Sequence, residues 1–397
     1  MKEANFKETE IGKIPVDWEV RTLGEFCSTF SGGTPDSKNL NYYNGDINWI
    51  SSGELNQRII TKTNGFVSQM GIDNSASKIV DKNTFLLAMY GATAGISAIT
   101  KISGAINQAV LAIVNDRKVS NNYFLLNFFE LKKDWIIDTY TQGGQPNLNA
   151  DIVKKISIPL PPLPEQEKIA ELLSDTDLWI ESTEALLAKK RKIKKGAMQK
   201  MLSPKEDWEV RKLGEVGEII TGGTPSTLNK EFWNGNIAWI TPTDISNTSK
   251  NIFKGERSIS EIGYKQIRQL PKNSLLVTCI ASIGKNAILR AKGACNQQIN
   301  AIIPNEGNNV DFIYYLIELN KSVLMGKAGT TATLMLSKAE FSLIEFSFPP
   351  LKTQQEIAEI LSSIDLEIES LENRLQKTRQ LKQGMMQDLL TGKVRLG

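Results

Sequence analysis

Apolar residues recur in two long stretches of the chain with the spacing of a coiled-coil helix. In the second stretch they fall every seven residues in two sets, the second set four residues after the first. This 4–3 spacing is that of the a and d seam of a coiled coil. We predict that the seam of the second helix contains Ile357, Leu361, Ile364, Ile368, Leu371 and Leu375.

The first stretch keeps the same frame with a weaker seam. Polar residues at seam positions reduce stability but fix the register and the choice of partner. The first helix is therefore expected to pair with the second helix rather than with its own copy. Each stretch follows a Pro-Pro-Leu sequence, at 161–163 and 349–351, and prolines give a helix a firm start. The apolar seam residues of the first helix are Ile169, Leu173, Ile180 and Leu187.

The whole chain, and not only the helices, is written twice. The sequence Asp-Trp-Glu-Val-Arg at 17–21 returns at 207–211, and Gly-Gly-Thr-Pro at 32–35 returns at 222–225, both at an offset of 190 residues. The helical stretches repeat at an offset of 188 residues, so the copies differ by short insertions and deletions. The chain therefore consists of two copies of a unit of about 190 residues.

Each repeat has a globular part ahead of its long helix. Short apolar runs with β character lie between turn residues at 84–90, 110–114, 274–280 and 299–303. Helical patterns follow at 122–140 and 310–325. The predicted fold class is α+β: two β-rich mixed globular domains joined by two long antiparallel coiled-coil helices, with a pseudo-two-fold internal repeat. The predicted segments are 1–160 and 205–348 for the domains, and 161–204 and 349–397 for the helices.

Connectivity predicts the direction of the two helices. The first leaves domain one and enters domain two, and the second leaves domain two and ends the chain, so paired helices should be antiparallel. The C-terminal residues 392–396 are then expected to return to the N-terminal segment.

Composition excludes several classes of enzyme. The chain contains no histidine, which rules out Ser-His-Asp triads and histidine-bound zinc. It has neither a Gly-x-Gly-x-x-Gly sequence nor a phosphate-binding Gly-Lys-Ser/Thr loop, and it lacks the Asn/Asp-Pro-Pro-aromatic motif of amino-methyltransferases. These absences agree with a chain that is not an enzyme by itself and carries no cofactor or metal, and that is our expectation.

Charge and cysteine content add little. The net charge of +3 is only mildly basic and does not by itself argue for a nucleic-acid ligand. Cys27, Cys279 and Cys295 have no metal-binding spacing and fit a reducing compartment. The N-terminal residues do not form a signal peptide, and no apolar run approaches the roughly 20 residues of a membrane helix. We expect a cytoplasmic protein.

Several short motifs occur in both copies and in the same order, and in this respect the chain resembles the DNA-specificity subunit of type I restriction–modification systems. The resemblance rests on Glu-Ile-Gly-Lys-Ile-Pro at 10–15 with Trp18, the paired Gly-Gly-Thr-Pro, the paired Asn-Gln at 107–108 and 296–297, and Pro-Pro-Leu before each long helix. The second copy lacks Gly-x-Ile-Pro before Trp208. The resemblance covers nearly the whole chain.

The resemblance implies a role in DNA recognition. Each globular part would be a target-recognition domain for one half of a bipartite site in double-stranded DNA. The helices would set the spacer and dock two modification subunits, which bind S-adenosylmethionine and methylate adenine. Restriction subunits that use ATP and Mg²⁺ would join this prokaryotic, cytoplasmic complex. Two alternatives remain open at this stage: a coiled-coil scaffold whose ends bind peptide or glycan, and a self-sufficient methyltransferase.

Candidate DNA contacts come from the paired motifs and from the segments that differ between the copies. The paired Gly-Gly-Thr turns could offer backbone amides to phosphate, or could be purely structural. Gln108 and Gln297 could bind adenine through two hydrogen bonds, or could bond internally. Segments 53–75 and 243–265 have little in common and should hold the base contacts. The full candidate set is Gly32, Gly33, Thr34, Lys38, Arg58, Lys62, Thr93, Gln108, Gly222, Gly223, Thr224, Lys230, Lys250, Lys254, Ser282, Lys285 and Gln297.

Two further groups have a structural interpretation beside a functional one. The basic run from Lys189 to Lys195 could neutralise phosphate or could be a solvated helix face. The paired tryptophans Trp18, Trp49, Trp208 and Trp239 are expected in the core.

Overall fold

The chain divides into two compact units, each with one globular domain and about half of each long helix. The computed structural model describes residues 5–141, 147–248, 250–328 and 334–396. The first unit consists of the chain up to Glu184 together with the segment from Arg374 onward, and the second is Ala185–Asn373. Each unit therefore contains parts of both helices that are distant in sequence.

Domain one contains thirteen of the strands in the described part of the chain. Its helices are the 3₁₀ segments Leu23–Glu25, Leu40–Tyr42, Ser52–Gln57 and Gly91–Thr93, and the α-helices Gln69–Asp73, Asn122–Tyr140 and Ala150–Lys154. The strands are β1 (Phe6–Thr9), β2 (Gly12–Pro15), β3 (Glu19–Thr22), β4 (Cys27–Ser31), β5 (Tyr43–Ile50), β6 (Ile59–Ile60), β7 (Gly65–Val67), β8 (Lys78–Val80), β9 (Phe85–Ala88), β10 (Ser97–Thr100), β11 (Gly104–Ile106), β12 (Val110–Asn115) and β13 (Ser157–Leu160).

Domain two repeats this order with fewer strands. Its helices are Leu213–Val216, the 3₁₀ segment Lys230–Phe232, Pro242–Ser246, Glu261–Tyr264, Val310–Leu319, Lys321–Gly326 and Lys338–Ser342. Its strands are β14 (Glu209–Lys212), β15 (Gly217–Thr221), β16 (Trp233–Ile240), β17 (Asn251–Ile252), β18 (Arg257–Ile259), β19 (Ser274–Thr278), β20 (Asn286–Leu289), β21 (Gly293–Cys295), β22 (Ile299–Pro304) and β23 (Glu345–Phe348).

The five-stranded sheets of the two domains share one topology, whereas the second sheet has four strands in domain one and three in domain two. A five-stranded sheet has the order β4-β12-β9-β10-β6 in domain one and β15-β22-β19-β20-β17 in domain two, with the last pair parallel in each. A second sheet, β7-β5-β11-β8 or β18-β16-β21, contains the equivalent parallel pairs β5 with β11 and β16 with β21. Two-stranded pairs, β3 with β13 and β14 with β23, lead into the long helices.

The central strands are buried on both faces, which explains their uninterrupted apolar runs. In β9, Phe85 and Leu87 pack towards the helix Asn122–Tyr140, while Leu86 and Ala88 pack towards the second sheet. Domain two divides the side chains of β19 between two clusters in the same way. The predicted strands at 84–90, 110–114, 274–280 and 299–303 are confirmed.

One predicted helix is divided in two. The pattern at 310–325 suggested a single helix, but the structure ends the first piece at Leu319 and begins the next at Lys321. Asn320 between them has φ −107° and ψ 27°, outside helical values, and its side-chain amide donates to the carbonyl of Leu316. Such a bond from an Asn side chain offers the backbone an alternative to the helical ladder, which accounts for the break.

The two long helices, Leu163–Met201 and Leu351–Leu389, pair antiparallel within each unit. In the first unit Glu184 pairs with Arg379, and Asp177 pairs with Lys382. In the second unit Lys190, Arg191 and Lys194 pair with Glu367, Glu372 and Asp365. Residue numbers thus decrease along one helix as they increase along the other, so the helices are antiparallel, as predicted. All ten predicted apolar seam residues are buried or half-buried.

The end of the chain returns to domain one, as its connectivity predicted. Arg395 binds both carboxylate oxygens of Asp17 and both of Glu165, at distances of 2.7–2.8 Å. The ring of Trp18 lies beside the same guanidinium and donates to Glu165. Among the paired tryptophans, Trp18, Trp208 and Trp239 are buried and Trp49 is half-buried, which fits the expected core role.

Candidate nucleic-acid interface

Each domain contains a corner where the Gly-Gly-Thr-Pro turn crosses the end of a strand of the second sheet. A Cβ atom on Gly32 would overlap the carbonyl oxygen of Ile106, and one on Gly222 would overlap the carbonyl oxygens of Cys295 and Asn296. Glycine is the residue that permits this close approach of two backbone segments. Packing alone therefore accounts for the first glycine of each turn.

Alanine at Gly32 or Gly222 is expected to lower the free energy of unfolding by about 3 kcal/mol, because backbone on both sides must move. Gly223 provides the control, since its added Cβ would meet Ile267 no closer than 3.5 Å, an ordinary contact. The change at Gly223 should stay within about 1 kcal/mol. Urea unfolding followed by circular dichroism measures the difference, and equal losses at Gly222 and Gly223 would contradict the packing argument.

The prediction that the second turn could offer its backbone amides to phosphate is partly wrong. The amide of Gly222 donates to the carbonyl of Ile299, and that of Gly223 donates to the carbonyl of Cys295. Both donors are used inside domain two, so these two amides are not available for a phosphate. Gly32 and Gly33 in domain one stay predictions.

The threonine of each turn orients the paired glutamine. The hydroxyl of Thr34 donates to Oε1 of Gln108, and the hydroxyl of Thr224 donates to Oε1 of Gln297 at 2.7 Å. All four side chains are at the domain surface. The same bond in both copies directs the amide Nε2 group, which has two donor hydrogens, away from the threonine. This arrangement suits an acceptor such as a phosphate or a base edge, and adenine recognition remains a prediction.

A loop with an exposed tip follows each turn, and one side-chain hydrogen bond anchors it. Tyr43 fixes the first loop by donating to the carbonyl of Pro35, and Trp233 fixes the second by donating to the carbonyl of Ser226. The predicted contacts Lys38 and Lys230 are exposed at these tips.

Sequence reasoning missed two leucines at the same tips. Leu40 is 76% exposed and Leu228 is 94% exposed. At the repeat offset of 190, Lys38 corresponds to Leu228 and Leu40 to Lys230, so each tip carries one lysine and one leucine in exchanged order. That exchange was visible in the sequence and could have singled them out.

The glycine-containing loops between strands lie partly within the fold. Thr93 and Ser282 are half-buried, and Lys285 is exposed with its ammonium donating to Ser246. Gly91, Gly95 and Gly284 all have φ between 76° and 84°, a conformation that favours glycine. These loops are turns by conformation, and their contact with DNA stays a prediction.

Two of the four cations chosen in the variable segments are corrected. Lys250 is buried, and its ammonium contacts Asp311 and the hydroxyls of Tyr315 and Ser362. Burial lowers the pKa of Lys250, and the hydrogen bond to Asp311 opposes that shift. Arg58 is held by three partners in the first unit, which are Asn127, Glu130 and Asp177.

Both side chains are engaged inside their units, so neither is free to contact a base. Lys62 and Lys254 are exposed and stay predictions.

The basic run on the first long helix is chiefly structural. Lys190, Arg191 and Lys194 pair with acidic residues of the second long helix. These pairs favour the structural interpretation for the three residues over phosphate binding.

A comparison with models of known protein families finds the same family in both halves of the chain. The model for the type I restriction modification DNA specificity domain matches twice, over residues 15–190 and 205–380. The chain belongs to this family.

Individual relatives agree with this membership. The chain is 27% identical to the putative type I restriction enzyme MjaX specificity subunit of Methanocaldococcus jannaschii, with 100% of this chain and 98% of that protein covered. It is 29% identical to the EcoR124I/EcoR124II specificity subunit of Escherichia coli over 64% of this chain and 63% of that protein. The structure of a type I S subunit from M. genitalium shares the fold, with a TM-score of 0.65, 15% identity, and coverage of 98% and 97%.

Specificity subunits are the non-catalytic part of type I restriction–modification systems, and catalysis lies in partner subunits. The predicted role as a DNA-recognition subunit without its own enzyme activity is therefore confirmed by family membership.

The cysteine and acidic side chains of the described residues were candidates for other chemistry. Cys27, Cys279 and Cys295 are buried, and burial raises the pKa of each thiol, to about 12, 11 and 12 respectively. Within the described ranges no cluster of acidic and cysteine side chains could hold a metal ion. The helices in these ranges also include none that combines the length and hydropathy needed to cross a membrane.

Proposed function

We propose that this specificity subunit recognises a bipartite, asymmetric site in double-stranded DNA, with domain one binding one half and domain two the other. The helices would set the length of the spacer between the halves. The observation that carries this proposal is that the two domains share a framework but differ in the segments between its elements.

The framework includes the two sheets and the Thr–Gln corner, which recur in both domains. The segments at 53–75 and 243–265 differ in sequence and local structure. After the equivalent strands β5 and β16, domain one forms a 3₁₀ helix at Ser52–Gln57 and domain two an α-helix at Pro242–Ser246. Equivalent frames with different surfaces suit two different half-sites, because direct contacts with base edges carry sequence specificity.

Partners would supply the remaining activities. Each unit contains an antiparallel pair of helix segments, which offers each of two modification subunits an equivalent place to dock. Those subunits would bind S-adenosylmethionine, and restriction subunits would use ATP and Mg²⁺. The complex would work in the cytoplasm of a prokaryote. In this proposal the isolated chain binds none of the cofactors.

Replacing domain one with a second copy of domain two should convert the recognised site into a near-palindrome. The reason is that internal symmetry in a DNA-binding protein is mirrored in its site. The measurement is methylation of a randomised duplex library by the variant assembled with its modification subunits. Sequencing of the methylated molecules then gives both half-sites.

The reciprocal variant, with two copies of domain one, is the matched control and should give the other palindrome. Recognition of only one half of the parental site by the unaltered protein would contradict the bipartite model. Loss of duplex binding even with the modification subunits present would instead favour a scaffold with other ligands.

A further inference from the structure

Arg58 and Lys250 occupy the same place in the two domains, although the repeat offset of 190 does not align them. Each immediately precedes the short parallel strand at the edge of the five-stranded sheet, β6 or β17. The carbonyl of Arg58 accepts from the amide of Ile99 at 2.9 Å, and that of Lys250 accepts from the amide of Ile288 at 2.8 Å. The two cations are therefore structural equivalents within otherwise different segments.

In the first unit Arg58 connects its domain to the first long helix, and Asp177 connects that helix in turn to the second. Its guanidinium contacts Oδ2 of Asp177 at 2.7 Å and Oδ1 of Asn127 at 2.7 Å. Lys382 of the second long helix contacts the other oxygen of Asp177 at 2.8 Å. Glu130 of the domain lies beside both cations. Lys382, which is buried on the second long helix, thereby has acidic partners.

The second unit builds a similar connection with different side chains, and here Lys250 also pairs with Asp311 of its own domain at 2.7 Å. The ammonium of Lys250 contacts the hydroxyl of Tyr315 at 3.0 Å, and that hydroxyl donates to Asp365 at 2.5 Å. Lys194 contacts the other oxygen of Asp365 at 2.5 Å. Lys250 also contacts Ser362 of the second long helix at 2.6 Å.

The residues correspond one to one. Asp177 and Asp365, Lys194 and Lys382, and Asn127 and Tyr315 are each separated by 188 positions. The longer arginine accompanies the small asparagine, whereas the shorter lysine accompanies a tyrosine that fills the remaining distance. We call these sets the domain clamps: Arg58, Asn127, Asp177 and Lys382 in the first unit, and Lys250, Tyr315, Asp365 and Lys194 in the second.

Each clamp is a second point of attachment between a domain and its helices. The first point lies at the start of each helix. There Ile169 and Leu173 are buried in the core of domain one, and Ile357 and Leu361 in that of domain two. Polar contacts accompany them, because Gln166 accepts from the amide of Asn121 and Gln354 from that of Asn309. Asp177 follows Ile169 by eight residues, or about 12 Å along the helix. Contacts confined to the start of a helix leave its far end free to tilt, whereas a second polar contact farther along the helix restricts that tilt.

We propose that the domain clamps set the angle between each recognition domain and its helices, and thereby restrict the spacer lengths that the protein accepts. Arg58 and Lys250 are positioning residues in this role and do not contact bases. The proposal rests on the bipartite function proposed above, because spacer selectivity has meaning only if both domains bind one duplex.

The angle itself can be tested without DNA. Nitroxide labels at Asp46→Cys and Glu181→Cys, both exposed, would report the distance between domain one and its helix in the full chain. The three native cysteines are buried and should not label. Arg58→Ala should broaden the distance distribution measured by pulsed electron spin resonance. The double variant Arg58→Lys with Asn127→Tyr introduces the lysine and the tyrosine of the second clamp, and it should narrow the distribution again relative to Arg58→Ala.

Spacer selectivity is the second readout. Duplexes with the parental half-sites and varied spacers would be methylated by the assembled complex. Arg58→Ala should raise methylation at neighbouring spacer lengths several-fold relative to the preferred length, with unchanged half-sites. The double variant should bring the ratio back towards the parental value. A merely stabilising residue would reduce methylation at every spacer by the same factor, and that outcome would overturn the proposal.

Arg379→Ala is the matched control, because this arginine pairs the two long helices through Glu184 and contacts neither Arg58 nor Asp177. It should leave both the distance distribution and the spacer ratio unchanged. A narrow distribution in the Arg58→Ala chain would also overturn the proposal, even if the parental complex recognises both half-sites. Failure of the parental complex to recognise two half-sites would count against the proposed function, and the label distances would still decide whether the clamp fixes the domain.

Discussion

Replacing Arg395 with alanine is expected to lower the free energy of unfolding of the first unit by about 3–5 kcal/mol. The reason lies in Glu165, which is only 3% exposed and has both carboxylate oxygens bound by this guanidinium. Without Arg395 its remaining donors are the indole of Trp18 and the amide of Leu396. A buried carboxylate that loses its counter-ion carries most of its desolvation cost uncompensated.

The other partner of Arg395 contributes much less. Asp17 is about half exposed, and exposed ion pairs are worth roughly 0–1 kcal/mol. Arg395 holds the pKa of Asp17 below its usual range through a hydrogen bond. The stability from this lowered pKa is present above the ordinary pKa of aspartate and disappears as the pH falls through the folded-state pKa. In the alanine variant that acidic dependence should weaken, because the hydrogen bond to Arg395 is the largest cause of the lowered pKa.

Hydrogen exchange provides a measurement confined to the first unit. Amides of the pair formed by β3 and β13 should lose protection in Arg395→Ala, while those of β14 and β23 in the second unit should not. Lys393→Ala is the control in the same tail, because its partner Asp388 and the lysine itself are exposed. Adding Glu165→Gln to Arg395→Ala should recover part of the loss, since no buried charge then remains. Equal protection in Arg395→Ala and Lys393→Ala would show that the ion pair contributes little.

Periodicity predicted the helices and the buried strands because local pattern and tertiary burial agree there. The heptads specify one apolar stripe, and its residues are buried or half-buried, partly in the domain cores. The uninterrupted runs at β9 and β19 are buried on both faces. The break at Asn320 escaped because apolar residues keep helical spacing across it, and only a side-chain bond to Leu316 marks the boundary.

The candidate site was less accessible to sequence reasoning. Arg58 and Lys250 were selected because they are basic residues in variable segments, but they belong to the clamps. Their equivalence was hidden by a shift of two residues relative to the repeat offset, and it becomes visible only through the hydrogen bonds of β6 and β17. The residue type and its location in a variable segment do not distinguish a cation at the surface from one that pairs with Asp177 or Asp311 in the folded chain.

Inserting four residues into both long helices is expected to lengthen the preferred spacer by about one to two base pairs. The insertions would follow Glu184 and Glu372, which are equivalent at the helix offset of 188. These positions fall at or beside the boundaries between the two units. The clamps, the cores and the ion pairs on either side therefore lie within segments that the insertions leave intact.

The expected size follows from helix and duplex geometry. Four residues add about 6 Å to each helix at 1.5 Å per residue. At roughly 3.4 Å per base pair this corresponds to nearly two base pairs. Four residues also rotate an α-helix by about 400°, a net turn near 40°. Two base pairs rotate DNA by about 70°. The difference of roughly 30° is small enough for DNA twist to absorb.

Methylation of a duplex library with varied spacers measures the shift, and the half-sites should remain those of the parent. A four-residue insertion in both helices preserves the antiparallel register on either side as a stutter, which a coiled coil accommodates by local unwinding. The same insertion in only one helix is the matched control. It moves one set of seam residues against the other and should reduce methylation at every spacer. An unchanged optimum in the double insertion would mean that the helices hold partners without setting the distance between half-sites.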